Sequence, residues 1–186
     1  MLFVISGPSG SGKTTLTKKL VEQLDNLQFV TSYTTRKPRK GEKNGVDYVF
    51  VSEDKFARMV KENKFIEWAF VHGNYYGTPY DVIKKSERAQ KDVLLDINIE
   101  GAFKIKNVSS DGIYVFLKPP SLEILRQRLI DRNDLSEYEI SKRMEVVRKE
   151  IEKSSNYDYI IVNSELEYSF NKLVDIINKE RSRKKN

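Results

Sequence analysis

The chain has no cysteine, which excludes a disulfide framework and any thiolate-ligated metal site. Long apolar runs are missing too. None approaches the ~18 residues of a membrane span, so no membrane partner is expected. The first six residues lack a basic start and do not read as a signal peptide. A cytoplasmic protein is therefore the expectation. The basic residues are not spread evenly. Much of the net charge of +6 sits in Arg36-Lys37-Pro38-Arg39-Lys40 and in the tail from Lys179 to Lys185. The tail reads as a frayed, solvated helix end rather than a nucleic-acid surface, and no nucleic-acid partner is expected.

What is present fits one domain. With 186 residues, 39% hydrophobic and 32% charged, the chain is long enough for a proper core under a charged surface. Its most informative stretch is Gly7-Pro8-Ser9-Gly10-Ser11-Gly12-Lys13-Thr14, which fits G-x-x-x-x-G-K-[ST]. The apolar run Leu2–Ser6 precedes it as a strand and Thr14–Leu24 follows as a helix, the order a phosphate loop needs. Glycines let backbone N–H groups curl around phosphate oxygens at a helix start. Lys13 then reaches the β- and γ-phosphates, and the Thr14 hydroxyl ligates Mg²⁺. The motif specifies nucleoside triphosphate binding and leaves the acceptor open.

Strand-like runs at Leu2–Ser6, Val93–Ile97, Ile113–Leu117 and Tyr159–Val162 have little polar interruption, as in a parallel sheet covered on both faces. Between them lie helical stripes: Leu16, Leu20, Val21 and Leu24; Leu122, Leu125 and Leu129; Ile140, Met144, Val147 and Ile151; Leu173, Ile176 and Ile177. The alternation predicts a doubly wound α/β core with a central parallel sheet flanked by helices. Two regions break it. Residues 32–80 read as a small, mostly β insertion with a helix capped by Ser52, and Asp131–Glu137 is a polar stretch between two amphipathic helices. As a connection it reads equally as a lid or as an ordinary loop.

The insertion carries a set of motifs. Ser32-Tyr33-Thr34-Thr35-Arg36-Lys37-Pro38-Arg39-Lys40-Gly41-Glu42 is followed by Asn44-Gly45-Val46-Asp47-Tyr48, Ile66-Glu67-Trp68-Ala69 and His72-Gly73-Asn74-Tyr75-Tyr76-Gly77-Thr78. In order and spacing this set, with the phosphate loop, resembles the guanylate kinase family of nucleoside monophosphate kinases over nearly the whole chain. The resemblance implies a P-loop core (1–31, 81–121 and 145–186), a mixed β GMP-binding insertion (32–80) and a helical lid (122–144). It implies transfer of the γ-phosphoryl group of Mg-ATP to GMP, and to dGMP, giving ADP and GDP. Monomer and homodimer both remain open.

Site residues follow from the same resemblance. Arg36 and Arg39 correspond to the pair that binds the GMP phosphate, where guanidinium forks suit phosphate oxygens. Tyr48 and Tyr76 add hydroxyls. Glu67 is the base-reading carboxylate, able to accept from guanine N1–H and the 2-amino group together. Adenine has an acceptor at N1 and no 2-amino group, so it would leave the carboxylate poorly paired. Ser32 and Thr78 are the hydroxyls that complete guanine recognition. Arg132 and Arg143 correspond to lid arginines that close on the transferring group with Lys13 and Arg36. Asp96 is placed to hold Mg²⁺ with Thr14, and Asn163 corresponds to an asparagine near the adenine of ATP. His72, the one histidine, reads as structural, because this chemistry needs no imidazole base.

The chain departs from the family in one place that matters. Where the family commonly has acid-Ile-Asp and then Gln-Gly, this chain has Asp96-Ile97-Asn98-Ile99-Glu100-Gly101. Asn98 keeps hydrogen-bonding ability without the charge, and altered guanine or metal-linked contacts are expected. The lid also has Asn133 where a glycine often follows its first arginine. Two other readings are weighed: a non-catalytic interaction module on the same fold, and a kinase of a ribose phosphate. The intact Lys13 and Thr14 argue against the first, and the guanine-reading set against the second.

Overall fold

Strand β1 (Leu2–Ser6) shows how the core is built. Phe3 and Ile5 point to one face of its sheet and Val4 to the other, and all three are buried. A strand buried on both sides needs helices on both sides. The structure is a computed structural model and describes residues 1–108, 111–131 and 135–185.

After β1 come α1 (Lys13–Gln23), β2 (Leu27–Phe29), β3 (Tyr33–Thr34), β4 (Val49–Phe50), α2 (Glu53–Lys61), β5 (Phe65–Val71) and β6 (Asn74–Pro79). They are followed by α3 (Tyr80–Arg88), β7 (Asp92–Asp96), α4 (Ile99–Val108), β8 (Gly112–Lys118) and α5 (Leu122–Asp131). The chain then forms α6 (Glu137–Glu152), β9 (Tyr159–Val162) and α7 (Leu166–Lys185). Five strands make a parallel sheet in the order β2-β7-β1-β8-β9. On one face Phe3, Ile5, Leu94 and Leu117 pack with Leu16 and Leu20 of α1 and Leu173 and Ile177 of α7. On the other, Val4, Val93, Leu95 and Phe116 pack with Ile83 of α3 and Ile105 of α4. Each such side chain gains about 1.5–3 kcal/mol from burial, and this holds the layers together.

The second sheet is smaller and mixed, in the order β4-β3-β6-β5, with β3 parallel to β4 and antiparallel to β6. Aromatic rings form its core. Phe56 of α2 stacks on Phe65 at 4.6 Å and on Tyr75 at 5.4 Å between ring centroids. Ser52 caps α2 by accepting from the Lys55 N–H. His72 and Gly73 both have positive φ, as a tight two-residue hairpin between β5 and β6 requires. The sheet is tied to the core by the Lys18–Asp47 ion pair at 2.5 Å and by Lys104, which donates to the Trp68 carbonyl.

Parallel sheets place ligands outside the carboxyl ends of their strands. Here β7 and β8 lie on opposite sides of β1, and Asp96 is in register with Ile5. The loop after β1 and the carboxyl end of β7 therefore open onto one crevice, roofed by the smaller sheet and by α6.

Candidate active site

Gly7 to Thr14 curls out of β1 into α1. Gly12, the residue before the helix, has φ 94 and ψ 12, a left-handed conformation that an L side chain adopts only at a cost. A Cβ there would also collide with the Asn163 side chain. Asn163 follows β9 and donates its amide to the Ser11 carbonyl at 2.7 Å, both residues being buried. Arg128 of α5 reaches the Gly10 and Asn163 carbonyls at 3.4 Å. Lys13 Nζ donates to the carbonyls of Gly7 at 2.8 Å and Pro8 at 3.1 Å, so its ammonium lies over the loop.

Thr14 donates to Asp96 Oδ2 at 3.0 Å. Burial raises the Asp96 carboxyl, while Lys13 and the Thr14 hydrogen bond pull it down. The hydroxyl and the carboxylate thus converge from two elements. They form an all-oxygen pair of the kind that binds Mg²⁺ together with phosphate.

Gly7, Ser9, Gly10, Gly12, Lys13 and Thr14 share one cavity with Ser32, Arg36, Arg39, Tyr48, Glu67, Tyr76, Asp96, Asn98 and Arg143. Most of the residues expected from sequence are brought together there. Arg36 makes a bidentate pair with Glu42, at 3.0 and 2.9 Å, and Glu42 also accepts from the Arg39 N–H at 2.7 Å. Burial would raise the Glu42 carboxyl, but its bonds to Arg36 and Arg39 hold it below the usual range. Arg36 also lies over the Tyr48 ring at 5.4 Å. Burial first, and Asp96 next, raise the Tyr48 phenol, so its hydroxyl keeps its proton and can donate.

Glu67 on β5 is 6% exposed, an uncommon seat for a carboxylate. Oε1 accepts from the Thr78 hydroxyl at 2.5 Å, across the β5–β6 pair. Oε2 is buried with no hydrogen-bond partner. Burial raises this carboxyl above its ordinary value, against the pull of Thr78 and Lys104. Native proteins rarely leave a buried carboxylate oxygen unpartnered, and those that do often reserve it for a ligand.

Among the expected residues, Thr78 and Asn163 are not in the cavity wall. Thr78 is fully buried, and its hydroxyl donates to Glu67. Asn163 lies behind the phosphate loop. Arg132 and Asn133 lie outside the described residues. His72 does border the cavity, where loss of solvent and then Arg143 lower its imidazole.

Sequence reasoning also missed residues. Glu150 faces the same cavity seven positions after Arg143, a spacing that puts both on one side of α6. Burial raises its carboxyl, and Lys13 opposes the rise. That helical spacing was the available signal. Gly101 had none, because its importance comes from how closely it approaches Glu67.

A phosphate loop at the carboxyl edge of a parallel sheet, sharing its cavity with an arginine-rich inserted sheet, defines a P-loop nucleotide kinase. The guanylate kinase family model matches residues 1–180. The chain is 41% identical over 178 residues to the guanylate kinase of Bacillus subtilis, covering 95% of this chain and 87% of that protein. It is 44% identical over 183 residues to that of Geobacter metallireducens, covering 98% and 90%. The solved guanylate kinase of Anaplasma phagocytophilum superposes with a TM-score of 0.82 at 34% identity, covering 97% of this chain and 85% of that one. The chain belongs to the guanylate kinase family and is an ATP-dependent nucleoside monophosphate kinase. Among the described residues no helix is long and apolar enough to cross a membrane.

Proposed function

We propose that this chain transfers the γ-phosphoryl group of ATP to GMP, with dGMP as a second acceptor, using the residues gathered in the cavity. The observation that carries the assignment is Glu67. Its buried carboxylate, with Oε2 unpartnered, belongs to a residue lining the cavity that also holds the phosphate loop. Guanine offers N1–H and the 2-amino group on one edge, and a carboxylate accepts both. Adenine offers neither there.

ATP lies with its phosphates on the backbone N–H groups of Gly7 to Thr14, and Lys13 swings from the loop carbonyls to the β- and γ-oxygens. Arg36, Arg39, Tyr48 and Tyr76 hold the GMP phosphate, with Glu42 keeping the Arg36 fork oriented. Ser32 completes the base pocket. A GMP phosphate oxygen attacks the γ-phosphorus in line as the bond to the β–γ bridging oxygen breaks, so no covalent enzyme intermediate forms. Arg143, with Arg132 on the lid, stabilises charge on the transferring group. Thr14 and Asp96 would hold Mg²⁺, which supplies charge neutralisation at the β- and γ-phosphates when bound. Closure of the insertion and lid over both nucleotides excludes water, which would otherwise hydrolyse ATP. The reaction belongs in the cytoplasm.

Release of ADP with GMP as acceptor tests this reading. In the Glu67→Ala variant GMP use falls by about 100-fold or more, while ATP binding is retained. Equal loss of GMP use and ATP binding would contradict the role given to Glu67.

A further inference from the structure

Asn98 joins β7 to α4 and caps that helix. Its Oδ1 accepts from the Gly101 N–H at 2.8 Å, and its carbonyl accepts from the Ala102 N–H at 3.0 Å. A backbone N–H requires an acceptor, so this bond fixes the amide: oxygen toward the helix, NH₂ away from it. Asn98 and Glu67 line the same cavity. They also meet around Gly101, where a Cβ would lie 2.5 Å from Glu67 Oε2. The first turn of α4 therefore lies against a carboxylate acceptor from β5, with the Asn98 amide donor at its start.

The two Glu67 oxygens are not equivalent. Oε1 already accepts from Thr78, whereas Oε2 is unpartnered and lies toward Gly101. A purine edge with one ring N–H and one amino group, which has two hydrogens, fits best with the amino group on the unpartnered oxygen. That places the 2-amino group on the Asn98 side. One of its hydrogens goes to Oε2, and the other meets the Asn98 NH₂, donor against donor. Aspartate in the same cap would keep one oxygen on Gly101 N–H and turn the other, an acceptor, toward the 2-amino group.

We infer that Asn98 weakens selection for the purine 2-amino group, so that 6-oxopurine nucleoside monophosphates lacking it are also acceptor substrates. Inosine monophosphate is the probe: it keeps O6 and N1–H and has hydrogen at C2. Its phosphate oxygen attacks the γ-phosphorus of ATP, the bond to the bridging oxygen breaks, and inosine diphosphate and ADP result. The inference rests on Glu67 reading the base.

The test compares kcat/KM for GMP and inosine monophosphate in the native enzyme and in Asn98→Asp, Asn98→Ser and Glu67→Gln. Asp and Ser both cap helices well, so two variants keep the fold in reach. Asn98→Asp raises the GMP-to-inosine-monophosphate ratio by roughly tenfold, the worth of one hydrogen bond to a charged group. Asn98→Ser raises it less, by removing the opposed donor. A ratio unchanged or lowered in whichever variant folds overturns the inference. If Glu67→Gln lowers GMP use while the Asn98 variants leave the ratio fixed, only the role of Asn98 fails. If Glu67→Gln leaves GMP use intact, the base-reading assignment fails as well.

Discussion

The Thr78 hydroxyl donates to Glu67 Oε1 over 2.5 Å, from a fully buried position on the neighbouring strand. This bond keeps one oxygen occupied and leaves the other, Oε2, without a partner. It also offsets part of the burial that raises the carboxyl. The sign of the pH effect follows. A carboxylate held above its ordinary value loses its charge earlier as pH falls, and with it the acceptor that guanine needs. The acid limb of kcat/KM for GMP should therefore lie above the ordinary glutamate range. Thr78→Val should move that limb to higher pH and Thr78→Ser should keep it in place, as pH–rate profiles would record. Thr78→Val also costs about 1–3 kcal/mol of stability.

Gly101 has no Cβ, and one added there would come within 2.5 Å of Oε2 and 2.9 Å of Cδ of Glu67. Alanine favours a helix interior over glycine by about 0.5–1 kcal/mol. Gly101→Ala should therefore leave α4 formed while displacing Glu67. The expected result is a fall of about 10- to 100-fold in kcat/KM for GMP, or ~1.4–2.7 kcal/mol, with the KM for ATP little changed. Steady-state kinetics with each substrate varied checks this; unchanged GMP kinetics would show that Glu67 tolerates the contact.

Asn163 supports the loop from behind through its bond to the Ser11 carbonyl. Asn163→Ala should raise the KM for ATP several-fold and lower stability by about 1–2 kcal/mol, leaving the KM for GMP near its native value. Nucleotide titrations and thermal melts separate this bracing role from contact with adenine, which would change the preference among ATP, GTP and CTP.

Lys13 donates to two carbonyls of its own loop, those of Gly7 and Pro8, and its ammonium lies where the phosphates would sit. Lys13→Ala should keep the melting temperature within a few degrees and cut turnover by about 100-fold or more. Near-native turnover would remove the loop from the chemistry.

The core was legible because its strands are buried on both faces: the run Leu2–Ser6 could serve no other element so close to a phosphate loop. Strand β2 escaped notice because Leu27–Phe29 is only three residues long and its edge position is set by pairing with β7. Helix α4 was hidden because Ile99, Ala102 and Ile105 follow a strand run directly, and apolar residues that close to a strand do not fix a period. In the site, residues that would touch phosphate or base were legible through their motifs. The supporting contacts were not, since Thr78 to Glu67, Asn163 to Ser11 and Gly101 against Glu67 depend on which elements lie side by side. Asn98 shows both sides of this. Its departure from the family pattern was visible at once, but the direction of its NH₂ group came only from the cap it makes on Gly101.

The central claim is that a single cavity couples the phosphate loop to a guanine-reading carboxylate. The most direct measurement is steady-state ADP release from ATP across GMP, dGMP, AMP, CMP and UMP. The expected result is turnover with GMP and dGMP at kcat/KM at least ~100-fold above that of AMP, CMP and UMP. AMP or UMP matching GMP, or no ADP release with any of them, would contradict it.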